Sequence, residues 1–172
     1  PPRVRAGSGG HSSSPMTASE PWLHWHDRLH RQLLQTPTLL PQGTTLLLAL
    51  SGGQDSMALL GLLRDLRKHH HWTLQLWHGD HGWHPGSAAV AEALAQWCAQ
   101  KSLPLQVSRS TTEITGSEAA ARGWRYSELS QYAQQLNQAG APGDSCTVLP
   151  AHTASDRAET LLIQLSRGTD LA

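Results

Sequence analysis

The sequence predicts an α/β fold: a doubly wound parallel sheet with helices on both faces. Three observations predict it. Short apolar runs alternate with longer helical patterns, in the order βαβαβαβα after a first helix. A glycine-rich turn, SGGQDS at 51–56, joins the first apolar run to the helix that follows. The 172 residues suffice for one domain with a sizeable core.

The elements follow in order. Residues 1–19 are rich in Pro, Gly and Ser without apolar periodicity and read as disordered, so the extension is expected over 1–20 and the domain over 21–172. Trp22, Trp25, Leu29 and Leu33 recur at helical spacing, until Pro37 and Pro41 break the pattern. Thr44–Leu50 is a continuous apolar run, as a strand buried on both faces requires. Ser56–Lys68 is leucine-dense and helical, and it closes on Arg64, Arg67 and Lys68, cations that suit a helix C-terminus. Thr73–His78 reads as a second strand, Ser87–Lys101 as an alanine-rich helix and Leu103–Ser108 as a third strand. Ser117–Gln138 is a long helical pattern ended by Gly140 and Pro142. Cys146–Pro150 is a fourth strand and Ser155–Ser166 a last helix. The chain stops four residues after Gly168, as a domain truncated at its C-terminal end would.

Composition removes several classes of function. Thirteen Lys and Arg balance thirteen Asp and Glu, which argues against broad electrostatic binding to nucleic acid but permits a local basic face. Cys98 and Cys146 stand far apart, in no CxxC spacing; this fits a reducing, cytoplasmic compartment and supplies no zinc or redox motif. No apolar stretch reaches the ~20 residues of a membrane span, so no membrane partner is expected. With phenylalanine absent, Leu and the seven Trp must fill core and cleft. The run His69–His71 reads as an exposed connector.

In parallel α/β sheets ligands bind beyond the carboxyl ends of the strands, where strand order reverses. After the first strand, Gly52 and Gly53 let main-chain N–H groups approach a ligand, and the dipole of the following helix points into the same turn. Ser51 and Ser56 add hydroxyls. No GxxxxGK[ST] is present, so this is not a Walker-type loop. Asp55 beside phosphate becomes favourable when Mg²⁺ lies between them. The plainer alternative is a Gly-Gly turn in which Asp55 or Ser56 caps the helix. After the second strand, WHGDHGWHPG carries His78, Asp80, His81 and His84. Their spacing invites a metal, but three histidines in such a loop need not converge, and a nucleotide-contacting loop is the favoured reading. After the fourth strand, AHTASDRAET either starts a helix, with Ser155 or Asp156 as its cap and Glu159 in its first turn, or brings His152 and Asp156 to the sheet's carboxyl edge opposite the first loop. Glu118, Arg122 and Arg125 in the long helix stand at three- and four-residue steps that can share a face; a solvated charged face is the default for such a run, and the alternative is that Arg122 reaches a phosphate or an RNA backbone.

These segments carry a resemblance. SGGQDS between strand and helix resembles the SGGxDS signature of the PP-loop ATP pyrophosphatases. Within them, WHGDHG at 77–82 is similar to the VHVDHG segment of the tRNA(Ile)-lysidine synthetase family. SEAAARGWRY at 117–126 is similar to its EEAARRARY, and AHTASDRAETLLIQLSRG at 151–168 to its AHHxDDQAETxLxxLxRG. The likeness runs from about residue 22 to 170, with Ser155 where the pattern has the first aspartate of a pair and Arg157 where it has glutamine. The resemblance implies an adenine nucleotide alpha-hydrolase-like fold and a ligase using ATP and Mg²⁺. It implies ATP contacts from Ser51, Gly52, Gly53, Gln54, Asp55, Ser56, His78, Asp80 and His81. It further implies catalytic roles for Asp55, Arg122, His152 and Asp156, with Asp55 and Asp156 holding the metal. The implied partners are an isoleucine tRNA with a CAU anticodon and free L-lysine; a homodimer is compatible with it. The rivals are another PP-loop ligase or amidotransferase, a non-catalytic ATP-binding module, and a metal-binding protein using the histidines.

Overall fold

The computed structural model describes residues 22–82, 85–110, 118–140 and 145–151. The expected helix over 155–166 and the N-terminal extension lie outside them. The elements are α1 (His24–Gln35), β1 (Thr45–Ala49), α2 (Gln54–His70), β2 (Thr73–Asp80), α3 (Ser87–Gln100), β3 (Leu105–Arg109), α4 (Glu118–Ala139) and β4 (Cys146–Leu149). The four strands form one parallel sheet in the order β3-β2-β1-β4.

The leucine run of β1 is central because both its faces are covered. Leu46 and Leu48 pack with Leu60, Leu63 and Leu66 of α2 and Leu94 of α3, while Leu47 and Ala49 pack with Leu129 and Ala133 of α4. Connections of one hand running β1→β2→β3 put α2 and α3 on the same side of the sheet. The return across the sheet to β4 puts α4 on the other. The reversal therefore falls between β1 and β4, and the residues after β1 open at that crevice.

Three local expectations change. Strand β2 continues past His78 through Gly79 to Asp80, so Asp80 is a strand residue and not a loop residue. His70 is buried, whereas His69 and His71 are exposed. It lies in the last turn of α2, stacks on Trp72 at 4.4 Å and shares a 3.0 Å hydrogen bond with His30 of α1. Trp22 and Trp25 are exposed, not core, since α1 turns His26 and Leu33 inward. The His26 Nδ1 accepts the Leu23 N–H, so Nε2 carries the hydrogen and donates to Asp65 of α2 at 3.0 Å.

Candidate functional site

The turn after β1 is tied by its own serines. The Ser51 Oγ accepts the Gly53 N–H at 3.1 Å and lies 3.1 Å from the Ser56 Oγ, which in turn donates to the Gly53 carbonyl at 2.9 Å. Gly52 has φ +81°, a left-handed conformation that favours glycine. Gly53 is the N-cap of α2, so Asp55 and Ser56 lie inside its first turn and neither caps it. The first intrahelical bond runs from the Met57 N–H to the Gly53 carbonyl. The N–H groups of Gln54, Asp55 and Ser56 consequently lack a partner within the helix, and the positive end of its dipole lies with them. The buried Ser56 braces the turn, while Ser51, Gly52, Gln54 and Asp55 are exposed.

The Asp55 carboxylate is a hard oxygen donor with no ion pair among the described residues. That chemistry fits a magnesium ion, which prefers carboxylate, phosphate and water oxygens. Asp156 and His152 lie outside the described residues, as do Trp83 and His84. Among the described residues no group of three His, Cys, Asp or Glu converges as a metal cluster.

Next to the turn is a cleft of about 450 Å³ at the carboxyl ends of β1, β2 and β4. Ala49, Leu50 and Ser51 line it from β1, Trp77 to His81 from β2, and Ala151 follows from β4. Gly86, Ser87 and Val90 of α3 and Arg125 of α4 complete it. His78 is buried, and its Nδ1 lies 2.7 Å from the Leu50 carbonyl oxygen. Asp80 is buried too; it accepts the Gly82 N–H at 3.0 Å and lies 3.5 Å from the Arg109 guanidinium. A hydrogen bond from Ser87 holds its carboxyl below the usual range, against the opposing effect of burial. Asp80 thereby fastens the end of β2 to the start of α3. His81 meets the Trp124 ring edge-on at 5.0 Å. Burial, then Arg125 and His78, lower its pKa from the ordinary histidine value, with Asp80 pulling the other way.

Arg122 does not line this cleft. It is exposed on α4, with its guanidinium 5.5 Å from the centre of the Tyr126 ring. Among the described residues the arginine that lines the cleft is Arg125. The sequence carries the four-residue series that marks its helix face, but not what that face meets. Ala121, Leu129 and Ala133 are buried, and 125 completes their four-residue series, so that stripe turns Arg125 inward and leaves Arg122 outside.

Fold and site together define a parallel α/β domain with an anion-ready turn at its topological reversal. The model of the PP-loop domain family (ATP_bind_3) matches residues 25–172, and the chain belongs to that family. It is 60% identical over 151 residues to the tRNA(Ile)-lysidine synthase of Parasynechococcus marenigrum (strain WH8102), covering 88% of this chain and 42% of that protein. Identity to the protein of the same name from Synechococcus sp. (strain ATCC 27144) is 50%, over 90% of this chain and 45% of the relative. For Prochlorococcus marinus (strain SARG) it is 45%, over 88% and 45%. The chain thus spans less than half the length of these curated relatives. Among solved structures, the U34-tRNA thiolase NcsA from Methanococcus maripaludis has the same fold, with a TM-score of 0.59 at 15% identity, over 84% of this chain and 49% of that one.

Proposed function

We propose that this chain is the catalytic core of an ATP-dependent ligase that forms lysidine in an isoleucine tRNA with a CAU anticodon. The observation that carries the ATP chemistry is the turn at 51–56, where N–H groups without helical partners meet an exposed carboxylate at the sheet reversal. The substrate reading is supported by 60% identity to a tRNA(Ile)-lysidine synthase.

In the first step the C2 carbonyl oxygen of the wobble cytidine attacks the α-phosphorus of ATP, and pyrophosphate leaves. In the second the ε-amine of free lysine attacks that carbon, and AMP leaves. The N–H groups of Gln54, Asp55 and Ser56 face developing phosphate charge without reorganising, a contribution of about 3 kcal/mol per donor in comparable sites. Asp55 and Asp156 would hold Mg²⁺, which when bound offsets the charge of the pyrophosphate. Asp80 and His81 border the nucleotide. Arg122 and His152 orient the adenylated cytidine and the incoming amine, and Arg125 joins them from the cleft wall. Asp156 takes the proton that the lysine amine must lose before it attacks.

Sulfur transfer has little support. Cys98 is buried in α3, and Cys146 opens β4 at the sheet edge opposite the cleft. Burial raises both thiols above their ordinary pKa, away from the reactive thiolate. Among the described residues no helix is long and apolar enough to cross a membrane. The proposed reaction is placed in the cytoplasm, where a tRNA substrate, ATP and lysine meet.

The test is mass spectrometry of tRNA nucleosides after incubating the full-length natural protein with ATP, Mg²⁺, lysine and tRNA. Conversion of one cytidine to its lysine adduct, with stoichiometric AMP, is the expected result. AMP release that requires a different acceptor would assign another PP-loop ligase. ATP binding without AMP release from any acceptor would assign a non-catalytic module.

A further inference from the structure

Strand β1 ends one residue before the phosphate turn, and the way it ends is unusual. Its last ladder pair is Ala49 with Trp77. The Leu50 N–H still donates to the Trp77 carbonyl at 2.7 Å. In a continuing parallel ladder the Leu50 carbonyl would accept the Gly79 N–H. Here that carbonyl faces the Nδ1 of His78 at 2.7 Å. A carbonyl only accepts, so Nδ1 carries the hydrogen and donates it. A side chain thus supplies the final rung, and both main-chain groups of Leu50 are held by β2.

The consequence passes directly into the turn. The Leu50 carbonyl belongs to the same rigid peptide plane as the Ser51 N–H. Ser51 is the residue whose hydroxyl closes the turn onto Gly53 and Ser56. We infer that His78 is a positioning residue: through the Leu50 carbonyl it fixes the Leu50–Ser51 peptide, and with it the aim of the phosphate turn. This rests on the nucleotide reading proposed above but assigns His78 a different task from touching the nucleotide. The side chain is 7% exposed and needs no ligand to hold its place.

The geometry specifies a nitrogen-by-nitrogen test. Asparagine places its amide nitrogen where His78 has Nδ1; glutamine reaches instead to the position of Nε2. Binding of Mg·ATP and of adenosine to the full-length protein is measured by equilibrium dialysis for wild type, His78→Ala, His78→Asn and His78→Gln, with thermal melts confirming that each folds. Losing an aligned turn should weaken ATP binding about tenfold in His78→Ala and His78→Gln while adenosine changes less than about twofold. His78→Asn should restore ATP binding to within about threefold of wild type. Equal loss for ATP and adenosine would make His78 a direct nucleoside contact and overturn the inference. So would unchanged ATP binding in His78→Ala, or failure of asparagine to outperform glutamine. A wild-type protein that binds no ATP would overturn the nucleotide reading itself, and the inference with it.

Discussion

Gly79→Ala should destabilise the domain, although nothing in the backbone forbids alanine there. Gly79 lies within β2 and has no left-handed φ. The obstacle is packing. A Cβ at this position would overlap the Trp77 Cη2 and stand 3.0 Å from the Trp124 Cζ3 and 3.1 Å from the Trp77 Cζ3. The Trp77 ring is 2% exposed, and its Nε1–H donates to the Ser108 Oγ at 3.0 Å, so it cannot swing aside without giving up that bond. Overpacking of this kind costs about 1–3 kcal/mol. Restricting the unfolded chain by replacing glycine returns roughly 0.4–1 kcal/mol. The net loss should be about 1–2 kcal/mol, a fall in Tm of roughly 5 °C for a domain of this size. Urea and thermal melts of wild type, Gly79→Ala, Trp77→Leu and the double variant read it. In the Trp77→Leu background the alanine should cost less, because the Trp77 ring atoms are gone and only the Trp124 contact remains; Gly79 and Trp77 are in contact and must couple. An alanine that is neutral in the wild type, or equally costly in both backgrounds, would refute the packing argument.

Two further predictions concern the turn and the α1–α2 contact. Asp55→Asn should abolish Mg²⁺-dependent AMP release while stability stays within about 0.5 kcal/mol, since the side chain is exposed and makes no ion pair among the described residues; retained AMP release would remove Asp55 from the chemistry. His70 has its pKa lowered by burial and then by His30, His69 and His71, so below pH about 6.5 the unfolded chain binds more protons than the folded one. Stability should accordingly be full above that pH and decline as pH falls from 7 to 5. His81 has the same sign, so His70→Gln should make the decline in Tm shallower without abolishing it; an unchanged slope would place the titration elsewhere.

Much of the fold was legible in sequence because its signals are local. A leucine run followed by Gly-Gly and a leucine-dense helix specifies strand, turn and helix whatever surrounds them. The sequence pattern ends β2 two residues short because Gly79 is a poor strand former in isolation, and its place there depends on Trp77 and Trp124 filling the missing side chain's space. The Asp55 turn was visible for the same local reason. Arg125 was not singled out over Arg122, since two arginines one turn apart on a helix differ only in which of them faces the sheet.

The order of apolar periods and glycines along this chain therefore determined by itself a parallel α/β domain with a glycine turn leading into a helix N-terminus after its first strand. What only the tertiary structure decided is convergence. That His78 meets the Leu50 carbonyl, that His70 is buried against His30 and Trp72, and that Arg125 enters the cleft each depend on which elements become neighbours. The physical reason is that backbone periodicity is fixed within a few residues, whereas the two histidine contacts join residues 28 and 40 positions apart and exist only once β1 pairs with β2 and α1 packs on α2.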